Sequence, residues 1–144
     1  MIRHAGLIAL RLGGAWRGVL IEGPAGAGKS DLALRCLDVG FRLVADDRVA
    51  LWVSGGRAFG RAPGALAGLL EIRGLEVVAV NSLPLAEVAL CVRCGAPERI
   101  PEPRLEDILG VAIPRIELDP RESSAPAKLS RALSHFDAAH KRRI

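Results

Sequence analysis

Aromatic side chains are nearly missing from this chain, which has no Tyr, three Phe and two Trp among its 144 residues. A core without them must come from Leu, Val, Ile and Ala, as the buried strands and helices of α/β proteins provide. The same shortage argues against a base-stacking platform for single-stranded nucleic acid. Cysteine is scarce too. Cys36, Cys91 and Cys94 are an odd number; Cys91 and Cys94 have the spacing of half a zinc site, but no second pair follows and His135 and His140 lie far off. Cys91 therefore reads as an interior strand residue and Cys94 as the residue at that strand's end. No apolar run approaches the roughly 20 residues of a membrane span. Arg3 and His4 precede only a short apolar stretch before Arg11, so no secretory signal is expected. Neither sign of charge dominates: a net charge of +4 suits a nucleotide or an acidic protein partner as well as nucleic acid. These absences leave one cytoplasmic domain spanning residues 1–144, with no membrane and no nucleic-acid partner.

What is present is aliphatic and patterned. Ala5 to Leu12 alternates loosely and predicts a strand, with a turn at Gly13-Gly14. Gly18 to Glu22 is a short aliphatic run that predicts a buried strand, and Leu32, Ala33, Leu34 and Leu37 have helical spacing up to a stop at Gly40. Strands are expected at Phe41 to Ala45, Val49 to Val53, Val77 to Asn81, Ala86 to Val92 and Arg115 to Leu118, with one more short strand after Gly55-Gly56. Arg57 to Leu75 reads as a loop with one short helical turn. Cys94 to Leu109, with Pro97, Pro101 and Pro103, has the least ordered pattern. A C-terminal helix is expected over Ser124 to His140, with Pro126 near its start and a basic end at Lys141-Arg142-Arg143. The result is a single strand-rich α/β domain, without the regular alternation of a doubly wound sheet.

Between the second strand and the first helix lies Gly23-Pro24-Ala25-Gly26-Ala27-Gly28-Lys29-Ser30, which fits G-x-x-x-x-G-K-[ST] at every constrained position. Glycines let several backbone N–H groups turn inward around phosphate oxygens, and the following helix aims its positive dipole end at the same anion. Lys29 can reach the β- and γ-phosphates and Ser30 can ligate Mg²⁺, so ATP with Mg²⁺ is the expected cofactor.

Phosphoryl transfer to an alcohol also needs carboxylates, for the metal and for the acceptor proton. Asp46-Asp47 closes the strand that follows the loop helix, which places it at the carboxyl edge of the sheet beside the phosphates. On an extended segment the two side chains would face opposite ways, one to the γ-phosphate and one to the metal shell. The alternative is an exposed turn paired with Arg48. Glu71 and Arg73 lie among apolar neighbours and are expected either to pair or to serve a ligand. His4, alone at the chain start, is of a type more often found at the surface than in catalysis.

Together these segments resemble the catalytic domain of HPr kinase/phosphorylase, the bifunctional enzyme acting on a serine of the phosphocarrier protein HPr. The likeness is carried by His4-Ala5, the loop with Ser30 to Leu34, Arg42-Leu43-Val44-Ala45-Asp46-Asp47, and Glu71-Ile72-Arg73-Gly74-Leu75. The tail from Leu118-Asp119-Pro120 to Lys128 is similar to that of short alphaproteobacterial members, which lack the separate N-terminal domain. The resemblance implies a P-loop kinase fold of the phosphoenolpyruvate carboxykinase-like type and, typically, a hexamer whose C-terminal helix helps to hold the protein substrate. It implies Asp46 as general base toward the acceptor serine, Asp47 and Glu71 in the metal shell with Ser30, and His4 near the transferred group. The chain departs from the family at Glu76, where the signature usually carries Gly, and in additional residues around Gly13 to Arg17.

Overall fold

The computed structural model describes the backbone of residues 1–142 and the side chains of residues 1–137. The basic cluster expected at Lys141-Arg142-Arg143, and the side chain of His140, lie outside those described residues.

Eleven strands and two helices are observed among the described residues. The path begins with β1 (Ile2–His4), β2 (Gly6–Leu12) and β3 (Ala15–Glu22), passes through α1 (Lys29–Leu37), and continues as β4 (Arg42–Ala45), β5 (Arg48–Ser54) and β6 (Arg57–Arg61). A 3-10 turn at Gly64–Leu66 precedes β7 (Leu69–Ile72) and β8 (Glu76–Ala79). Then come β9 (Ala86–Cys94), β10 (Arg104–Ile108), β11 (Val111–Leu118) and α2 (Ala125–Arg142).

Nine of the strands form one sheet: seven follow the path β1-β5-β6-β9-β3-β2-β4, β11 joins at β9 and β10 pairs with β11, while β7-β8 form a separate ribbon. Strand β9 is the hub. One edge pairs in parallel with β3, from Arg17↔Glu87 to Glu22↔Arg93. Its other edge is shared: its first residues pair with β6 and its last, Cys91 to Cys94, pair in parallel with β11. Because β1 runs through Ala5 straight into β2 while pairing with β5, the two arms of the sheet roll toward each other.

Alternation along the central strands feeds two cores. Val19 and Ile21 of β3 face the helices with Leu90 and Val92, against Leu32 and Cys36 of α1 and Leu129 and Leu133 of α2. Leu20 faces the opposite way with Cys91, under Val49 and Leu51 of β5 and Ile108 of β10. In α2 the fully covered residues Ala125, Leu129 and Leu133 recur every four positions, one stripe of an amphipathic helix.

Two stretches depart from the sequence expectation. Arg57 to Leu75 opens with β6, the short strand expected after Gly55-Gly56, and holds the 3-10 turn, but it also contains β7, which seats its buried Leu70 against α1. A four-residue strand between Gly68 and Gly74 is too short to show period-2 alternation. Cys94 to Leu109 contains β10, which pairs with β11 from Arg104↔Arg115 to Ile108↔Val111 across a two-residue turn, Leu109-Gly110, with both φ positive. The prolines stop at Pro103, just before the strand starts. The residues from Gly13 to Arg17 lie in the β2–β3 turn and the start of β3.

The pairing of β3 and β9 is tight at Gly18, where the register shifts and a Cβ would stand 2.5 Å from the Glu87 carbonyl oxygen. Backbone cannot yield as a side chain can, so Gly18→Ala is expected to cost about 1–3 kcal/mol in urea or thermal unfolding. Burial pushes the Cys36 thiol up from 9.0 to about 12, against an opposing pull from Arg35. Burial does the same to Cys91, raising it to about 12, with Glu106 and Glu22 adding to the rise and Arg3 and Arg115 opposing it. A raised folded-state pKa gives stability that is whole below the unfolded value and is lost as pH climbs toward the folded one. Unfolding midpoints are therefore expected to fall between pH 9.0 and about 12. A small alkylating reagent at about pH 8 is expected to spare both thiols until denaturant is added.

Candidate active site

Strand β3 delivers the chain to Gly23 at its carboxyl edge, and α1 takes it away from Lys29. Gly26 and Gly28 have φ of 79° and 103°, backbone that L side chains rarely adopt, which is what a loop wrapping an anion requires. No side chain caps α1, whose N-cap is Gly28 itself, so the first N–H groups of the helix open into the hollow of the loop. Lys29 Nζ is folded over that hollow, donating to the Gly23 and Pro24 carbonyls at 2.7 and 3.1 Å. Pro24, Ala25 and Ala27 complete the curve, with the Ala27 N–H on the Pro24 carbonyl at 3.1 Å.

Strand β4 brings Asp46 to the same place. The Ser30 hydroxyl donates to Asp46 Oδ1 at 2.8 Å, and the Glu71 N–H donates to Oδ2 at 3.1 Å. Asp46 is 9 % exposed, so both of its oxygens are committed inside the protein. Asp47 does the opposite. It sits at the centre of a tight turn closed by the Arg48 N–H on the Asp46 carbonyl at 2.8 Å, with φ of 68°. Its side chain is exposed and lies 3.9 Å from the Arg48 guanidinium, the exposed ion pair that the sequence left open as an alternative. Left-handed backbone at a non-glycine residue is uncommon and concentrates at functional sites. The two side chains face opposite ways, as expected, but through the turn at Asp47 and not through an extended segment.

His4 comes to this corner through β1. It stands opposite Arg48 in the ladder, and the next residue, Ala5, donates its N–H to the Asp47 carbonyl at 3.1 Å. Loop, Ser30, Asp46, Asp47 and His4 thus gather at one edge. Glu71 is attached through its main chain only; its side chain and that of Arg73 are exposed, and no ion pair joins them, contrary to the pairing considered from sequence. Among the described residues no three His, Cys, Asp or Glu side chains converge as a ready metal cage. A magnesium site needs none, since that ion takes one or two protein ligands and fills the rest with phosphate and water. The Ser30 hydroxyl with Asp46 behind it has that chemistry.

Three neighbours escaped the sequence. Arg121 Nη2 donates to the Gly26 carbonyl at 3.1 Å, and Arg35 of α1 holds the carbonyls of Pro120 and Glu122. Arg35 is four residues after Asp31, a spacing that predicts only a surface pair, and nothing local marks Arg121. Cys94 lies against Gly23, where a Cβ would come within 3.4 Å of its Sγ. Burial raises its thiol pKa, nearby Lys29 lowers it and Asp119 raises it. Two clefts of about 420 and 540 Å³ lie between α2 and the β10–β11 hairpin, lined by residues such as Arg17, Pro103 and Phe136, and neither includes the loop. No described helix is long and apolar enough to cross a membrane.

Known proteins are similar in sequence and in fold. The HPr kinase/phosphorylase of Clostridium tetani is 46% identical over 66 residues, 46% of this chain but 22% of that protein. The enzyme of the same name from Lacticaseibacillus casei is 48% identical over 67 residues, 46% of this chain and 21% of its own length. The chain thus matches about a fifth of these curated relatives' length. A solved structure described as the Hpr(Ser) kinase/phosphatase from Coxiella burnetii superposes with a TM-score of 0.82 at 26% identity, covering 98% of this chain and 99% of that one. The sequence model of the HPr Serine kinase C-terminal domain matches residues 6–85, more than half of the chain and the part that holds the loop, both aspartates and β7. On that match the chain belongs to the HPr serine kinase C-terminal domain family.

Proposed function

We propose that this domain is an ATP- and Mg²⁺-dependent protein serine kinase whose acceptor is HPr or an HPr-like phosphocarrier protein. The observation that carries the reading is the Ser30–Asp46 hydrogen bond at the head of an uncapped helix and a glycine loop. A glycine loop alone binds anions; a hydroxyl backed by a buried carboxylate adds the place for a phosphate-bound cation. When bound, Mg²⁺ neutralises charge on the moving phosphoryl group. Lys29 leaves the Gly23 and Pro24 carbonyls to meet the β- and γ-phosphates, and the loop amides hold the same oxygens.

The geometry supports a division between the two aspartates that reverses the one implied by resemblance. Asp46 is nearly buried and already accepts from Ser30 and the Glu71 N–H, one on each oxygen, so its part is to hold Ser30 and the metal side. Asp47, exposed on its turn beside His4, is the carboxylate that can receive the acceptor proton. With inorganic phosphate as the attacking group, the phosphoryl would leave the phosphoserine to form pyrophosphate and the same carboxyl would give its proton to the serine oxygen, which is the phosphorylase direction. An exposed Glu71 fits the rim of the metal shell through water. A cytoplasmic setting and a homo-oligomer, a hexamer by family resemblance, complete the proposal.

The test is transfer from γ-labelled ATP to a purified HPr-type carrier. Lys29→Ala is expected to lower transfer about 10²–10³-fold. Asp47→Asn is expected to lower kcat by roughly 10²–10⁴ with an unchanged Mg²⁺ requirement, while Asp46→Asn raises that requirement. ATP binding with no label on any carrier serine would overturn the acceptor assignment, and equal Mg²⁺ dependence in the two variants would overturn the division of roles.

A further inference from the structure

The guanidinium of Arg35, in the last turn of α1, spends its donors in three directions. Nε meets Asp31 Oδ2 one helical turn back at 3.0 Å, Nη1 donates to the Glu122 carbonyl at 3.1 Å, and Nη2 donates to the Pro120 carbonyl. Two main-chain carbonyls of one turn therefore hang on a single helix side chain, whose fork is fixed by Asp31.

That turn links β11 to α2. The Glu122 carbonyl also accepts the Ala125 N–H at 3.1 Å, at the start of α2, whose Ala125 and Leu129 are fully buried. On its other side the turn reaches the phosphate loop. Arg121 donates to the Gly26 carbonyl at 3.1 Å, and a Cβ on Gly28 would stand 3.7 Å from Pro120 Cγ. Loop, α1 and the first turn of α2 meet at the carbonyls that Arg35 holds.

We propose that Arg35 is a positioning residue that couples occupancy of the phosphate loop to the seating of α2. The inference rests on the reading of Gly23 to Ser30 as a nucleotide-phosphate site. For loop amides to face an anion, the intervening carbonyls must face away from it. A guanidinium on the Gly26 carbonyl holds that orientation from outside, and Arg35 holds the turn that carries the guanidinium. A phosphate that fixes the loop thereby fixes the turn and the entry of α2. Linkage makes the effect reciprocal: whatever seats the start of α2 raises nucleotide affinity by the same factor.

Hydrogen exchange over residues 120–133 and nucleotide affinity, measured on the full chain with MgADP as probe, test this. In the wild type, MgADP is expected to slow exchange in that segment. Arg35→Gln is expected to bind MgADP roughly five- to tenfold more weakly and to lose the slowing. Arg35→Lys, which can keep one carbonyl contact, is expected to recover part of both. Arg121 is exposed, so Arg121→Gln leaves the cores alone and carries the test should Arg35→Gln fail to fold. It is expected to lose the MgADP-dependent slowing while its exchange without nucleotide stays as in the wild type. Wild-type affinity and slowing in Arg35→Gln would overturn the proposal, as would wild-type slowing in Arg121→Gln or MgADP binding to the wild type without slowing. A wild type that binds no MgADP would instead overturn the phosphate-site reading, and this inference with it, so the two failures are told apart.

Discussion

Asp46 accepts one hydrogen bond from the head of α1 and one from the main chain of β7, and most of the site's geometry descends from those two contacts. Through Ser30 it fixes the helix that follows the loop; through the Glu71 N–H it fixes the β7–β8 ribbon, which belongs to no larger sheet. Leu70, the neighbour of Glu71, is fully buried against α1, so the polar tie sits directly beside an apolar one. A carboxylate held this way is well satisfied, and leaving it without partners in the same place would cost about 1–3 kcal/mol or more. The ribbon is thus held by the residue that also holds Ser30 at the head of α1.

The rolled sheet explains why residues distant in sequence reach one edge. Strands β3 and β9 run parallel, so their carboxyl ends point the same way, and β4 ends beside them through its pairing with β2. The continuous run from β1 into β2 carries His4 to the corner where β4 gives way to β5. A regular doubly wound sheet would have no strand crossing from one arm to the other in this manner. Here the crossing strand is what brings a residue from the chain start next to Asp47.

Much of the site was legible in the sequence, because its signals are local. The loop, the helix after it and the strand ending in Asp46-Asp47 follow from spacing within 25 residues, and the structure has each of those elements in place. What stayed hidden depends on contacts between distant segments. Strand β10 follows a proline-rich stretch, and its pairing with β11 becomes visible only once Leu109-Gly110 is seen as a turn. β7 is four residues long and owes its place to Asp46 and α1, which its own composition does not encode. The different surroundings of the two aspartates were hidden for the same reason: one hydrogen bond closes a turn between them, and residue identity alone cannot say which carboxylate turns inward.

The left-handed backbone at Asp47 also bears on how this corner tolerates change. Only glycine, asparagine and aspartate enter that conformation at low cost; other side chains meet a penalty of roughly 1–2 kcal/mol before any chemistry is considered. Position 47 is therefore filtered by shape, and aspartate is the only one of the three that carries a carboxylate. Substituting glutamate, the usual conservative exchange for an acid, would keep the charge and violate the shape. Among the acids, the alphabet that fits this turn is a single letter.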